Sequence, residues 1–173
     1  FGVDEKDTSR FLFREWRFTP EGEERPEFVL NQPFRRESVF VIALDNFGCG
    51  SSREMAPWAL RDFGIRCVIA PSFGTIFQSN CFRNGIAPVV LDRSEVERLG
   101  RDAEANPQYR LALDLDAMTV ASPDGARFLF EMEAAQRRML VEGLDTIGLT
   151  LTRRPEIEAF RRTDRVARPW AYL

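Results

Sequence analysis

The chain has no histidine, one lysine (Lys6) and two tyrosines in 173 residues. Without imidazole there is no ordinary neutral-pH base and no usual zinc site. Acid–base chemistry by this chain falls to hydroxyl, carboxylate, thiol, phenol or amine groups, or to a partner. The three cysteines, Cys49, Cys67 and Cys81, leave a thiol over in any pairing and are spaced far from CxxC. That pattern argues against a disulfide framework and against a metal cluster held by this chain alone, and it fits a reducing cytoplasm. No apolar run approaches the roughly 18 residues of a membrane span. Net charge is -3 and basic residues form no block, so neither a membrane nor a nucleic-acid partner is expected. No signal peptide is visible, and Phe1 is not a start methionine; a missing upstream segment is expected.

What is present reads as one α/β domain over 1–173. Phe11, Phe13, Trp16 and Phe18 fall near alternation and predict a short strand. The apolar run 39–44 predicts a buried strand, followed by a glycine turn at 46–50 and a helix from about Ser52 to Phe63, stopped by Gly64. A second strand is expected at 66–70. Ser72 is then expected to cap a helix carrying Phe73, Ile76, Phe77 and Cys81, before a third strand at 87–91. Strand–helix–strand–helix–strand implies a parallel core with right-handed crossovers. Ser94 and Glu97 have capping-box spacing for a further helix. Segments 109–115, 118–121 and 126–132 alternate between turns and predict an antiparallel element. A helix is expected at 134–144, 145–151 is ambiguous, and Pro155 opens a last helix. The tail from Pro169 to Leu173 is expected to dock, since it carries Trp, Tyr and Leu together.

The most informative stretch is Gly48-Cys49-Gly50-Ser51-Ser52-Arg53-Glu54-Met55. From the residues, two readings stand. In one, Ser51 and Glu54 form a capping box at a helix start. In the other, glycines let backbone approach a ligand, helix-start N–H groups attract an anion, and Arg53 offers a planar fork for a carboxylate. A serine hydroxyl acts as a base only where such donors stabilise its alkoxide. Pro57 leaves the start of the helix undecided: it would disturb a helix capped by Ser51, or else 51–56 is a looser turn around a ligand.

Asp45–Glu54, with Ala56-Pro57-Trp58-Ala59-Leu60, resembles the small-subunit family of 3-isopropylmalate dehydratase, in the aconitase superfamily. Segments 28–33, 62–73, 80–88 and 143–151 match the same pattern, so the resemblance covers most of the chain. It implies the swivelling β/β/α domain of the aconitase type and a heteromeric hydro-lyase of leucine biosynthesis. It implies a large-subunit partner carrying a [4Fe–4S] cluster whose open iron is the Lewis acid, with no cluster ligand on this chain. By the family motif, Ser51 is the base toward substrate carbon, Ser52 and Arg53 bind a substrate carboxylate, and Gly48, Cys49 and Gly50 form the turn. Two departures stand out. Met55 replaces the family histidine, and a thioether neither donates a hydrogen bond nor carries charge. The family's first strand and substrate-recognition loop are absent before Phe1. Two alternatives follow: a related subunit acting on another small diacid such as citraconate, or a non-catalytic partner of the large subunit. Cys67 and Cys81 are expected as buried packing thiols, and Trp58 in the core or at a subunit interface.

Overall fold

The computed structural model describes residues 7–51 and 53–172. Its amino-terminal part has 3-10 turns at Ser9–Phe11, Val29–Asn31 and Pro33–Arg35 and a short helix α1, Arg14–Arg17. The strand expected from Phe11, Phe13, Trp16 and Phe18 does not form. Phe13 has φ 48°, in the left-handed region, and turns the chain into α1. The aromatic side chains pile on one another instead. Phe13 stacks on Trp16 at 5.9 Å between centroids, with Phe28 at 5.8 Å and Phe47 at 6.3 Å. Arg17 is buried, and its guanidinium donates to Asn31 Oδ1 (3.2 Å) and the Ser9 carbonyl (2.9 Å). Asn31 Nδ2 donates to the carbonyls of Arg17 (2.7 Å) and Arg25 (2.9 Å). A self-satisfied polar pair therefore anchors this segment, since buried polar groups must find partners.

The parallel sheet comprises β1 (Phe40–Ile42), β2 (Cys67–Ala70) and β3 (Ala87–Val90), in the order β1-β2-β3. Phe40 pairs with Cys67, and Cys67 with Ala87. Helices α2 (Met55–Phe63) and α3 (Thr75–Arg83) make the crossovers. Of the apolar run 39–44 only three residues join β1, all half-buried, because β1 is an edge strand; Val39 and Leu44 are exposed. Gly64, at φ 113°, closes α2 as its position predicts. Helix α4 (Arg93–Ala105) follows. Its capping box is Asp92 with Glu95, two residues before the expected Ser94–Glu97 pair, and Glu97 instead accepts from Arg93 Nε at 2.9 Å.

The antiparallel element is β4 (Ala112–Asp114), β5 (Thr119–Ala121) and β6 (Arg127–Leu129). Strand alternation then builds two cores on the parallel sheet. Cys67, Ile69 and Val89 face α4 and the antiparallel sheet, meeting Val96, Leu99, Val120 and Phe128. Val68 faces the opposite side and meets Leu60, Phe77, Cys81 and Ile86 around α2 and α3. Sheet, sheet and helices thus stack as expected of an α/β domain of the β/β/α kind.

Helix α5 (Ala134–Glu142) ends at Gly143, φ 64°. The ambiguous segment forms α6 (Thr146–Leu151), because Asp145 accepts the Gly148 N–H at 2.6 Å. Helix α7 (Arg154–Ala167) carries Pro155 in its first turn and buries no residue. Among the described residues the tail packs on α7: the Tyr172 hydroxyl donates to Asp164 at 2.7 Å, while Trp170 stays 67% exposed.

Thr8 ties the amino-terminal segment to α2, its N–H and hydroxyl donating to Asp62 Oδ2 at 2.9 and 2.7 Å. Burial would raise the Asp62 carboxyl, but the two Thr8 bonds and nearby Arg61 outweigh it and hold the group below its ordinary value. The stabilisation is complete above the unfolded pKa of about 4 and fades as pH falls through the lower folded value. Urea titrations of wild type and Asp62→Asn should differ by a constant amount, about 1 kcal/mol, above that range, and the gap should close in stronger acid.

Candidate active site

Beyond β1 the chain enters two linked turns. Asn46 has φ 56°, and its carbonyl accepts the Cys49 N–H at 3.0 Å. The Gly48 carbonyl then accepts the Ser51 N–H at 3.0 Å. The turns lie against the segment entering α3. Phe47 donates to the Ser72 carbonyl and accepts from Gly74 N–H, both at 3.0 Å, and the Asn46 N–H donates to Ser72 Oγ at 2.8 Å. Gly48 has φ 75°, and a Cβ built there would lie 2.2 Å from the Phe77 ring. A Cβ on Gly74 would lie 2.7 Å from the Cys49 Cα. Each glycine fills a place where only hydrogen fits. Phe47 packs edge-on to Phe77 at 5.4 Å, and Phe73 stacks on Phe77 at 6.4 Å.

This arrangement corrects several expectations. Ser51 does not cap α2. Its hydroxyl donates to the Arg53 carbonyl at 3.2 Å, and Glu54, which precedes the helix, makes no side-chain cap. The Glu54 carboxylate instead faces Arg83 at 3.9 Å. The physical reason is Pro57: starting at Met55 puts Pro57 third in the helix, where its missing N–H would have no intrahelical partner anyway. Ser51, Arg53 and Glu54 accordingly lie ahead of the helix. Met55 is half-buried at the first helical residue, so it does not lie one helical turn beyond Ser51 on a shared face. Ser72 likewise does not cap α3, which starts after Gly74.

Among the predicted site residues, Gly48, Cys49, Gly50, Ser51 and Arg53 share this one turn. Ser51 is half-buried, while Cys49, Gly50 and Arg53 are exposed. Ser52 lies outside the described residues. Gly50 has open space where a Cβ would stand. Sequence reasoning missed the seat of the turn, formed by Ser72, Gly74 and Phe77. A glycine directly after Ser72-Phe73 was the available sign that the helix begins later. Trp58 is partly exposed, 37%, and outside both cores.

The thiols do not converge. Cys49 is exposed, and Cys67 and Cys81 are buried in opposite cores. Burial pushes the Cys81 thiol up to about 12 and Cys67 higher still, away from thiolate chemistry. Among the described residues no group of three or more His, Cys, Asp or Glu side chains could hold a metal ion. The described residues therefore do not fit an iron–sulfur cluster.

The parallel sheet delivers a glycine-lined serine turn from its first strand to a helix start, beside an antiparallel sheet. Residues 4–94 match the Aconitase C-terminal domain family, and residues 97–134 match LeuD_N. The chain belongs to the family of 3-isopropylmalate dehydratase small subunits. It is 50% identical over 159 residues to the one of Roseobacter denitrificans, covering 92% of this chain and 79% of the relative. Over the same shares it is 52% identical to that of Cereibacter sphaeroides. A crystal structure of 3-isopropylmalate dehydratase from Methanocaldococcus jannaschii matches with TM-score 0.53 and 28% identity, over 70% of this chain and 68% of that one.

Gly48→Ala should move both the turn and Phe77. Equilibrium unfolding should show a loss of about 2–4 kcal/mol, combining left-handed strain with overpacking. A cost below about 0.5 kcal/mol would mean that the turn is not seated as described.

Proposed function

We propose that this chain is the cytoplasmic small subunit of a two-subunit hydro-lyase that converts 2-isopropylmalate to 3-isopropylmalate in leucine biosynthesis. One observation carries the reading: in a chain about half identical to such subunits along 92% of its length, Ser51 and Arg53 stand together at the head of α2 on a sterically locked turn. The reaction removes a proton from a substrate carbon, forms a carbon–carbon double bond with that electron pair and expels the hydroxyl as water. Readdition to the other carbon gives the isomer.

Ser51 is assigned the proton transfer. Its hydroxyl donates to the Arg53 carbonyl, and an alkoxide there would face a carbonyl oxygen with no proton between them. The turn must therefore release this bond when substrate arrives. The Arg53 guanidinium and the start of the α2 dipole then supply positive potential for the alkoxide and the substrate carboxylate. Ser52 and Arg53 are assigned carboxylate binding. Gly50, open where a Cβ would stand, lets the backbone approach the diacid closely, and Gly48 and Cys49 complete the turn.

The [4Fe–4S] cluster is assigned to the large subunit, where it would supply Lewis-acid chemistry. Exposed Ile147, Leu151, Phe160 and Trp170 support a chain built to be covered by a partner, since several large apolar side chains in water are unfavourable. No helix of the described residues is long and apolar enough to cross a membrane.

The test is turnover of 2-isopropylmalate by the chain with its large subunit. The isolated chain should be inactive. Ser51→Ala should lower kcat by about 10²–10⁴ without loss of subunit binding, the range for removing a positioned acid–base group. Turnover that survives Ser51→Ala would overturn the assignment. Met55 lies outside the turn, so Met55→His should change kcat less than about threefold. A gain of about 10² or more would mean that the histidine matters to this turn. Good activity on citraconate with none on 2-isopropylmalate would favour the related diacid. Subunit binding without any turnover would favour a non-catalytic partner.

A further inference from the structure

We propose that Ser72 is a positioning residue for the Ser51 turn; this rests on the assignment of Ser51 as the base. Ser72 grips the turn at two points, its Oγ accepting the Asn46 N–H at 2.8 Å and its carbonyl accepting the Phe47 N–H at 3.0 Å. Asn46 is the left-handed residue from which the turns start. Its carbonyl fixes the Cys49 N–H, and the next turn fixes the Ser51 N–H through Gly48. The orientation of Ser51 is thus set in series from Asn46, and the Ser72 hydroxyl is the side-chain group that holds Asn46. The Phe47 backbone bonds and the Phe77 contact anchor the middle of the turn, downstream of Asn46.

The hydroxyl matters for geometry more than for stability. Asn46 is exposed, so its N–H can turn to water when Ser72 loses its oxygen. The fold then survives while the first turn gains freedom. Small misplacements of a reacting group cost rate steeply. Loss of the Ser72 hydroxyl should therefore appear in kcat, with little effect on substrate affinity or melting temperature.

The experiment uses the full chain with its large subunit and compares wild type, Ser72→Ala and Ser72→Thr. Ser72→Ala should lower kcat about tenfold, leave KM within about twofold and shift Tm by no more than about 3 °C. Ser72→Thr, which keeps the hydroxyl, should recover most of the rate. Amide exchange over residues 46–51 should quicken in Ser72→Ala and return toward wild type in Ser72→Thr. A Ser72→Ala kcat within twofold of wild type, or a Ser72→Thr enzyme as slow as Ser72→Ala, would overturn the proposal. The two failures separate cleanly. If wild type does not turn over, or Ser51→Ala keeps full activity, the reading of Ser51 fails, and amide exchange still decides whether Ser72 holds the turn.

Discussion

Gly48 against the Phe77 ring, and Gly74 against the Cys49 backbone, form the contact on which the candidate site depends. Two stretches of chain, one leaving β1 and one entering α3, interlock through positions where a side chain would collide. Their bridge at Phe47 and Phe73 continues the parallel pairing past the end of the sheet. The aromatic trio of Phe47, Phe73 and Phe77 closes the underside and joins the turn to the core of Leu60, Val68 and Cys81. A polar, glycine-rich loop is thereby held by apolar contact. That is how a surface turn becomes rigid enough to carry chemistry.

The same rigidity separates two duties between Asn46 and Glu54. Asn46 to Gly50 is seated on the body of the protein. Ser51, Arg53 and Glu54 lie ahead of α2, where the Ser51 hydroxyl makes one 3.2 Å bond to the Arg53 carbonyl and Arg53 is exposed. A hydroxyl so lightly held exchanges that bond for a substrate at little cost. Positive charge at the helix start and on Arg53 favours a dianionic diacid over a neutral ligand.

Much of this was legible in the residues. The parallel strands, the antiparallel element and most helices follow from apolar periodicity and turn residues, and the family pattern reached the serine turn directly. Three of the failures share a cause: local polar signals that fit more than one partner. Ser51 and Glu54 have capping-box spacing, yet Pro57 moves the helix start to Met55 and frees both side chains. Around α4 two boxes overlap, and the one at Asp92 and Glu95 forms because Glu97 turns to Arg93. Ser72 looks like a cap, but its hydroxyl serves an amide 26 residues upstream. Such a long-range bond leaves no local trace. The aromatics from Phe11 to Phe18 alternate because they cluster, with Phe13 left-handed, and not because they form a strand.

The most direct measurement is a structure of the chain bound to its large subunit and an isopropylmaleate-like inhibitor. The quantity to read is the distance from Ser51 Oγ to the substrate carbon that loses its proton. The account predicts about 3 Å, with the bond to the Arg53 carbonyl broken and the Arg53 guanidinium on a carboxylate. A Ser51 hydroxyl still bonded to that carbonyl, and more than about 5 Å from the substrate carbon, would contradict it.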